Sequence, residues 1–161
     1  MMKVLIVSDT HRKNDNFLKV LEQVSPIDMV VHCGDAEGSE YLFEKAADCP
    51  LEIVAGNNDF FSGLSTEKEF YIGKYRVWLT HGHNYYVSMG TEMLKQEAAS
   101  RGVDIVFFGH THRPVVEYGT GVIAVNPGSI SYPRQDGRKP SYVLMDIDRE
   151  GEVHFTIRYV E

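Results

Sequence analysis

Asp9, His11, Asp35, Asn57, His81, His110 and His112 are concentrated in five short polar stretches, "VSDTH", "HCGDAEG", "AGNND", "LTHGH" and "FFGHTH". Imidazole nitrogens with carboxylate and amide oxygens form a borderline-to-hard donor set, suited to Mn, Fe, Ni, Co or Zn rather than to Cu(I) or a thiolate-bound cluster. The donors outnumber what one tetrahedral ion takes, so two divalent metal ions are the natural inference. Taken singly, Asp9, Asp35, Asn57 and Asn58 read equally well as turn residues. Four histidines, each directly after an apolar run and beside carboxylates, weigh the other way. His32, before Gly34, reads as a core residue, His154 as a satisfied strand residue, and Cys33 as a buried, inert thiol. Competing scripts are absent from the sequence: no GxSxG elbow, no P-loop, no HExxH, and no GxGxxG after the first apolar run.

The elements that must deliver these side chains alternate through the first two thirds of the chain. "KVLIVSD", a helical pattern at Phe17, Leu18, Leu21 and Val24, and "IDMVVHCGD" form a β-α-β opening. A helix over 39–47, the strand "LEIVAGN", and a helix over 91–100 stopped by Gly102 and followed by "VDIVFFGHTH" continue it. "EKEFYIGKYRVWLTHG" reads as a hairpin turning at Gly73-Lys74, and strands follow from Val115, separated by turns at Gly119-Thr120-Gly121 and Arg149-Glu150-Gly151. An α/β first part, a strand-rich second part and no linker between them predict one α/β domain over 1–161: two packed sheets with helices outside. In such sheets the carboxyl ends of the strands converge on one crevice, which would gather the five polar stretches in one place.

Composition bounds the partners. A net charge of −7 and a pI near 5.5 argue against broad binding to nucleic acid or anionic membranes. No stretch approaches the ~20 apolar residues of a transmembrane helix. The two cysteines share no CxxC spacing, and no export signal is legible, so a reduced, cytoplasmic protein with no membrane association is expected.

The series "DTH" (9–11), "GD" (34–35), "GN" (56–57), "HG" (81–82) and "GHTH" (109–112), in that order, resembles the calcineurin-like metallophosphoesterases. "NPGS" (126–129), the small size and the closing strands resemble the compact bacterial and archaeal phosphodiesterase branch, related to the retromer subunit of the same fold. The resemblance implies a four-layer α/β/β/α sandwich and a phosphodiesterase with two divalent ions, Mn first, with Ni, Fe, Co or Zn as alternatives. It implies one ion on Asp9, His11 and His112, a second on Asn57, His81 and His110, and Asp35 bridging them. The nucleophile would be hydroxide from a shared water, the substrate a small phosphate ester, and the assembly a possible dimer or tetramer. A phosphomonoesterase using the same site, and a non-catalytic scaffold, are the other readings.

One position departs from that family. Where many members carry a histidine after the "GN" asparagine, this chain has Asn58, whose amide can donate a hydrogen bond to a phosphoryl oxygen but cannot deliver a proton near neutral pH. Slower turnover on poor leaving groups is the expectation. His83 is the nearest candidate proton donor, with orienting His81 or its loop as the other reading. Arg134 is the basic residue expected at the substrate phosphate. Asp59 reads as a turn cap or a support for the Asn57 amide rather than a ligand, Phe60 and Phe61 as an apolar seal over the loop in preference to a wall over the substrate, and Gly34, Gly56, Gly82 and Gly109 as points where backbone passes close to the ions.

Overall fold

The computed structural model describes residues 1–60, 62–119, 121–135 and 137–161. The expected turn at Thr120 and the seal at Phe61 therefore lie outside the described residues. In chain order the elements are β1 (Met2–Val7), α1 (Asp15–Val24), β2 (Met29–His32), α2 (Glu40–Ala46), β3 (Leu51–Ile53), β4 (Glu67–Ile72) and β5 (Tyr75–Thr80). Then come α3 (Glu92–Arg101), β6 (Ile105–Phe107), β7 (Pro114–Tyr118), β8 (Ile123–Pro127), β9 (Ser141–Ile147) and β10 (Val153–Tyr159).

The strands form two mixed sheets, ordered β10-β9-β1-β2-β3 and β4-β5-β6-β8-β7. β1, β2 and β3 run parallel in the first, and β5, β6 and β8 run parallel in the second. The antiparallel strands lie at the margins: β9 and β10 beside β1, β4 beside β5, and β7 beside β8. The expected hairpin turns at Gly73, and Gly102 ends α3 in a left-handed conformation.

Side-chain alternation with a period of two sorts the apolar residues into layers. Val4 and Ile6 of β1 meet Val77 and Leu79 of β5, Ile105 and Phe107 of β6, and Val143 and Met145 of β9 between the sheets. Leu5 and Val7 of the same strand face outward and are covered by Phe17, Val20, Leu21 and Val24 of α1 and by Phe43 of α2. Trp78, Val106 and Ala124 face outward on the second sheet and are covered by Leu94 and Ala98 of α3. The result is the four-layer α/β/β/α arrangement. Each fully buried Leu, Ile, Val or Phe contributes about 1.5–3 kcal/mol, so this double core holds the strand ends rigidly enough to build a site on them. Among the described residues no helix is long and apolar enough to cross a membrane.

Candidate metal centre

Five loops that follow the carboxyl ends of parallel strands meet across the two sheets. β1 delivers Asp9 and His11, β2 delivers Asp35, β3 delivers Asn57 and Asn58, β5 delivers His81 and His83, and β6 delivers His110 and His112. The turns are sharp. Asp9, His11, Asp35, His110 and His112 all have positive φ, between 46° and 71°, a conformation that non-glycine residues rarely adopt and that the surrounding contacts must hold. Three glycines make the close approach possible, the first being Gly34, where a Cβ would stand 2.6 Å from His81 Nδ1. A Cβ on Gly56 would stand 2.2 Å from Asp35 Oδ1, and one on Gly109 would stand 2.2 Å from Ser8 Oγ and 2.8 Å from Asp9 Oδ2. Gly82, expected to serve the same purpose, instead packs its backbone against Val87.

Asp9 Oδ1 lies at the focus of the cluster, 3.7 Å from His11 Nε2, 3.7 Å from His81 Nε2 and 3.3 Å from His112 Nε2. Asp35 Oδ2 lies 3.7 Å from His11 Nε2 and 3.3 Å from His81 Nε2. These separations are too long for good direct hydrogen bonds. They match the spacing of neighbouring donors around one cation, since ligands about 2.0–2.2 Å from a common ion stand roughly 3–3.6 Å from each other. Asp9 Oδ1 and His81 Nε2 are buried and have no hydrogen-bond partner among the described residues. An orphaned carboxylate oxygen facing an orphaned imidazole nitrogen fits a bound cation. Two ligand triads satisfy this geometry, Asp9 with His11 and His112, and Asp9 with Asp35 and His81. Asp9 thus stands in both, alongside Asp35, the bridge that the resemblance implies. Asn57 and His110 join at the open side, with His110 Nδ1 3.2 Å from Asn57 Oδ1 and its ring 5.2 Å from that of His81.

The neighbours of the cluster leave the facing atoms free. His81 Nδ1 donates to the Cys33 carbonyl at 2.7 Å, His112 Nδ1 to the Tyr132 carbonyl at 2.6 Å, and His11 Nδ1 to Glu37 Oε2 at 2.9 Å. With each Nδ1 so engaged, all three rings turn Nε2 toward the cluster, where those of His11 and His112 stand 3.2 Å apart, the spacing of two ligands on one ion. Ser8 Oγ and the His110 backbone N–H both donate to Asp9 Oδ2, at 2.6 and 3.1 Å, which leaves Oδ1 for the cluster. Burial opposes the charge on Asp9, but His81, His11 and His112 hold its carboxyl well below the usual range. Burial likewise pulls His81 down, and the Asp9 and Asp35 carboxylates overcome it, raising His81 to about 9.

Several of these supports were not legible in the sequence. Glu37, inside the stretch "HCGDAEG", is one; nothing in its spacing tells that it reaches back to His11. Asp59 caps its turn as expected and does more. Its two oxygens accept from the backbone N–H groups of Gly56, Asp35 and Glu37 at 2.7, 2.7 and 2.6 Å, tying two site loops together. In "NPGS", Asn126 donates to the Gly109 carbonyl and to Thr111 Oγ1, and Ser129 Oγ donates to the Asp9 carbonyl.

Three expectations need adjustment. The Asn58 side-chain amide donates to Asp35 Oδ2 at 3.0 Å, and its backbone N–H to Asp35 Oδ1 at 2.9 Å, so Asn58 serves the aspartate. His83 makes no hydrogen bond to His81, which is oriented by Cys33 instead. It lies 5.5 Å from the His81 ring and 6.1 Å from the His110 ring, and burial and the His81 charge lower its pKa. Phe60 is 75% exposed and so does not seal the loop. Cys33 is buried with its thiol pKa pushed up, as an inert thiol should be, and His32 is buried against Phe43. Arg134 lines a cleft of about 820 Å³ that opens beside His11 and His112.

The family profile described as the calcineurin-like phosphoesterase superfamily domain matches residues 2–150. The chain belongs to that superfamily. It is accordingly a metal-dependent phosphoesterase. Within the superfamily it is 30% identical over 161 residues to YsnB of Bacillus subtilis, a probable metallophosphoesterase, covering 99% of this chain and 91% of that relative. It is 31% identical over 172 residues to the phosphodiesterase YfcE of Escherichia coli, with 92% and 89% covered. Among solved structures, a single-mutant Vps29 from Entamoeba histolytica aligns with a TM-score of 0.79 at 25% identity, over 99% of this chain and 100% of that one.

Proposed function

We propose that this superfamily member is a phosphodiesterase that hydrolyses a small phosphodiester at a centre for two divalent cations, Mn first and Ni, Fe, Co or Zn as alternatives. The observation that carries the reading is the pair of buried, unpartnered atoms Asp9 Oδ1 and His81 Nε2, with Nε2 of His11 and of His112 beside them, 3.2 Å from each other. The name of the relative YfcE supports the preference for a diester. In this reading residues 1–161 act as one domain, and the two unpaired cysteines suit a reducing cytoplasm.

Asp9, His11 and His112 would hold one cation and Asn57, His81 and His110 the other, with Asp35 between them. Bound there, the cations would lower the pKa of a shared water and neutralise charge growing on the phosphoryl oxygens. The rest falls to the protein. Glu37, Cys33 and Tyr132 keep the Nδ1 protons of His11, His81 and His112 in place, so that each Nε2 lone pair stays on the centre. Asp9 and Asp35 bring two negative charges into a buried pocket, where they select a cation over any neutral ligand. Asn58 orients Asp35 and has no acidic proton to give, so the leaving oxygen departs without a proton from that position. His83, whose pKa burial and the His81 charge lower, is better suited to accept a proton than to supply one.

The likeness to Vps29 raises a second reading, a protein that binds partners without catalysis. The complete set of seven donors favours catalysis. Metal reconstitution with each of Mn, Ni, Co, Fe and Zn, assayed on bis(4-nitrophenyl) phosphate and on 4-nitrophenyl phosphate, decides between them. Diester hydrolysis that Asp35→Asn abolishes is the expected result. Faster monoester hydrolysis would make the protein a phosphomonoesterase, and no hydrolysis with any metal would sink the enzymatic reading.

A further inference from the structure

The cleft beside the metal centre departs from the charge of the molecule around it. The chain carries a net charge of −7, yet Arg12, Arg134 and Arg138 all line this one cleft, with His11 and His112 at its inner end and Tyr132 along its wall. Lys13 adds a fourth cation, its Nζ 5.3 Å from the centre of the Tyr132 ring. Elsewhere Arg76 pairs with Glu69, and Arg101 with Glu67, Glu69 and Glu97, while Arg113, Arg149 and Arg158 are dispersed rather than gathered in one cleft. Among the described residues, Arg12, Arg134 and Arg138 form no such pair. Glu37, which also lines the cleft, has its carboxylate engaged by His11.

The wall is built onto the metal ligands. The Arg134 backbone N–H donates to the His112 carbonyl at 3.1 Å, and the Tyr132 carbonyl accepts from His112 Nδ1. Arg12, which also lines the cleft, donates from Nε to the Glu37 carbonyl at 3.2 Å, which steadies its stem. Guanidinium groups offer planar forks of donors that match phosphate oxygens, and several on one concave wall attract polyanions before contact. A space of about 820 Å³ is far larger than one phosphoryl group needs and suits a ligand of nucleotide size.

We infer that this cleft is a subsite for a second phosphate. The substrate class is a small phosphodiester bearing an additional phosphate group, which the arginines hold while the diester phosphorus sits over the metal centre. This rests on the phosphodiesterase reading and narrows it. A diester with no further phosphate carries a single negative charge, which the metal centre takes up; an additional phosphate supplies anionic oxygens for the guanidinium groups and suits the size of the cleft.

The test is a matched pair of substrates with the same scissile bond: thymidine 5′-(4-nitrophenyl phosphate) with and without a 3′-phosphate, hydrolysed by the Mn-loaded protein at one ionic strength. The 3′-phosphorylated compound should have a kcat/KM higher by about tenfold or more, the worth of a charge-assisted hydrogen bond. In the double variant Arg134→Ala, Arg138→Ala that ratio should collapse to about twofold or less, with Arg12→Ala alone reducing it in part. Equal kcat/KM for the two compounds in the parent protein would overturn the subsite and leave the phosphodiesterase reading standing. An unchanged ratio in a triple arginine variant would do the same. Failure to cleave either compound with any of the five metals would overturn both.

Discussion

Glu37 touches no candidate metal position directly, yet it decides how His11 presents itself. A carboxylate on the far nitrogen of a ligating imidazole raises the basicity of the near one and locks the ring, and losing it typically costs 10- to 100-fold in metal affinity or activity. Glu37→Gln keeps the shape and removes the charge, so Mn affinity measured by calorimetry should fall by about tenfold, with the fold intact. Parent-like affinity would show that the 2.9 Å contact is incidental. Asn58 makes a different point. The amide supports Asp35 and supplies no acid, so Asn58→His should raise the rate selectively on diesters with poor leaving groups, up to the 10²–10⁴-fold that general acid help can bring. Equal rates for mutant and parent across a leaving-group series would exclude Asn58 as the limiting position. At this scale the donors were legible, because histidine, aspartate and asparagine at strand ends carry their chemistry in their identity. Glu37 and Asp59 were not, because their partners are 26 and 24 residues away and depend on how loops cross.

The loops after β1, β2, β3, β5 and β6 act as one unit, because each leans on the next. Asp59, beyond β3, fastens the β2 loop through Asp35 and Glu37, and Ser129, beyond β8, fastens the β1 loop through the Asp9 carbonyl. Gly56, like Gly109, is a point where two of them pass too close for a side chain. In Gly56→Ala the added methyl would fall 2.2 Å from Asp35 Oδ1, so Asp35 must move or the loop must open. A shift of about 1 Å at a reacting centre costs on the order of 10²-fold, and kcat/KM should fall by about that amount while the circular dichroism spectrum is unchanged. Full activity in that variant would mean the loops are less tightly coupled than their hydrogen bonds imply. The strands themselves were readable from period-two alternation, and the helix stop at Gly102 from its residue type. The positive φ of five donor residues was not, since Asp and His only tolerate that conformation better than most residues, and hydrogen bonds from other loops hold it.

Across the whole molecule the donors come from both sheets, so a bound cation ties the two halves of the sandwich together. Binding to the folded state alone stabilises by about 2.7 kcal/mol at 100 times Kd, which for a chain of this size should raise Tm by roughly 5–10 °C. Differential scanning calorimetry with and without Mn measures it. The shift should be larger at pH 8 than at pH 6: His81, raised to about 9 in the metal-free protein, must release its proton to coordinate, so protons compete with the metal as pH falls. A shift that is absent, or that grows toward acid pH, would contradict the shared centre. The order of the strands has a further consequence, for synthesis. All seven donors lie between residues 9 and 112, whereas β9, which occupies the place beside β1 in the first sheet, begins only at Ser141. During synthesis the candidate donors are therefore all in place in the chain while β1 still has a bare edge, which β9 covers only later.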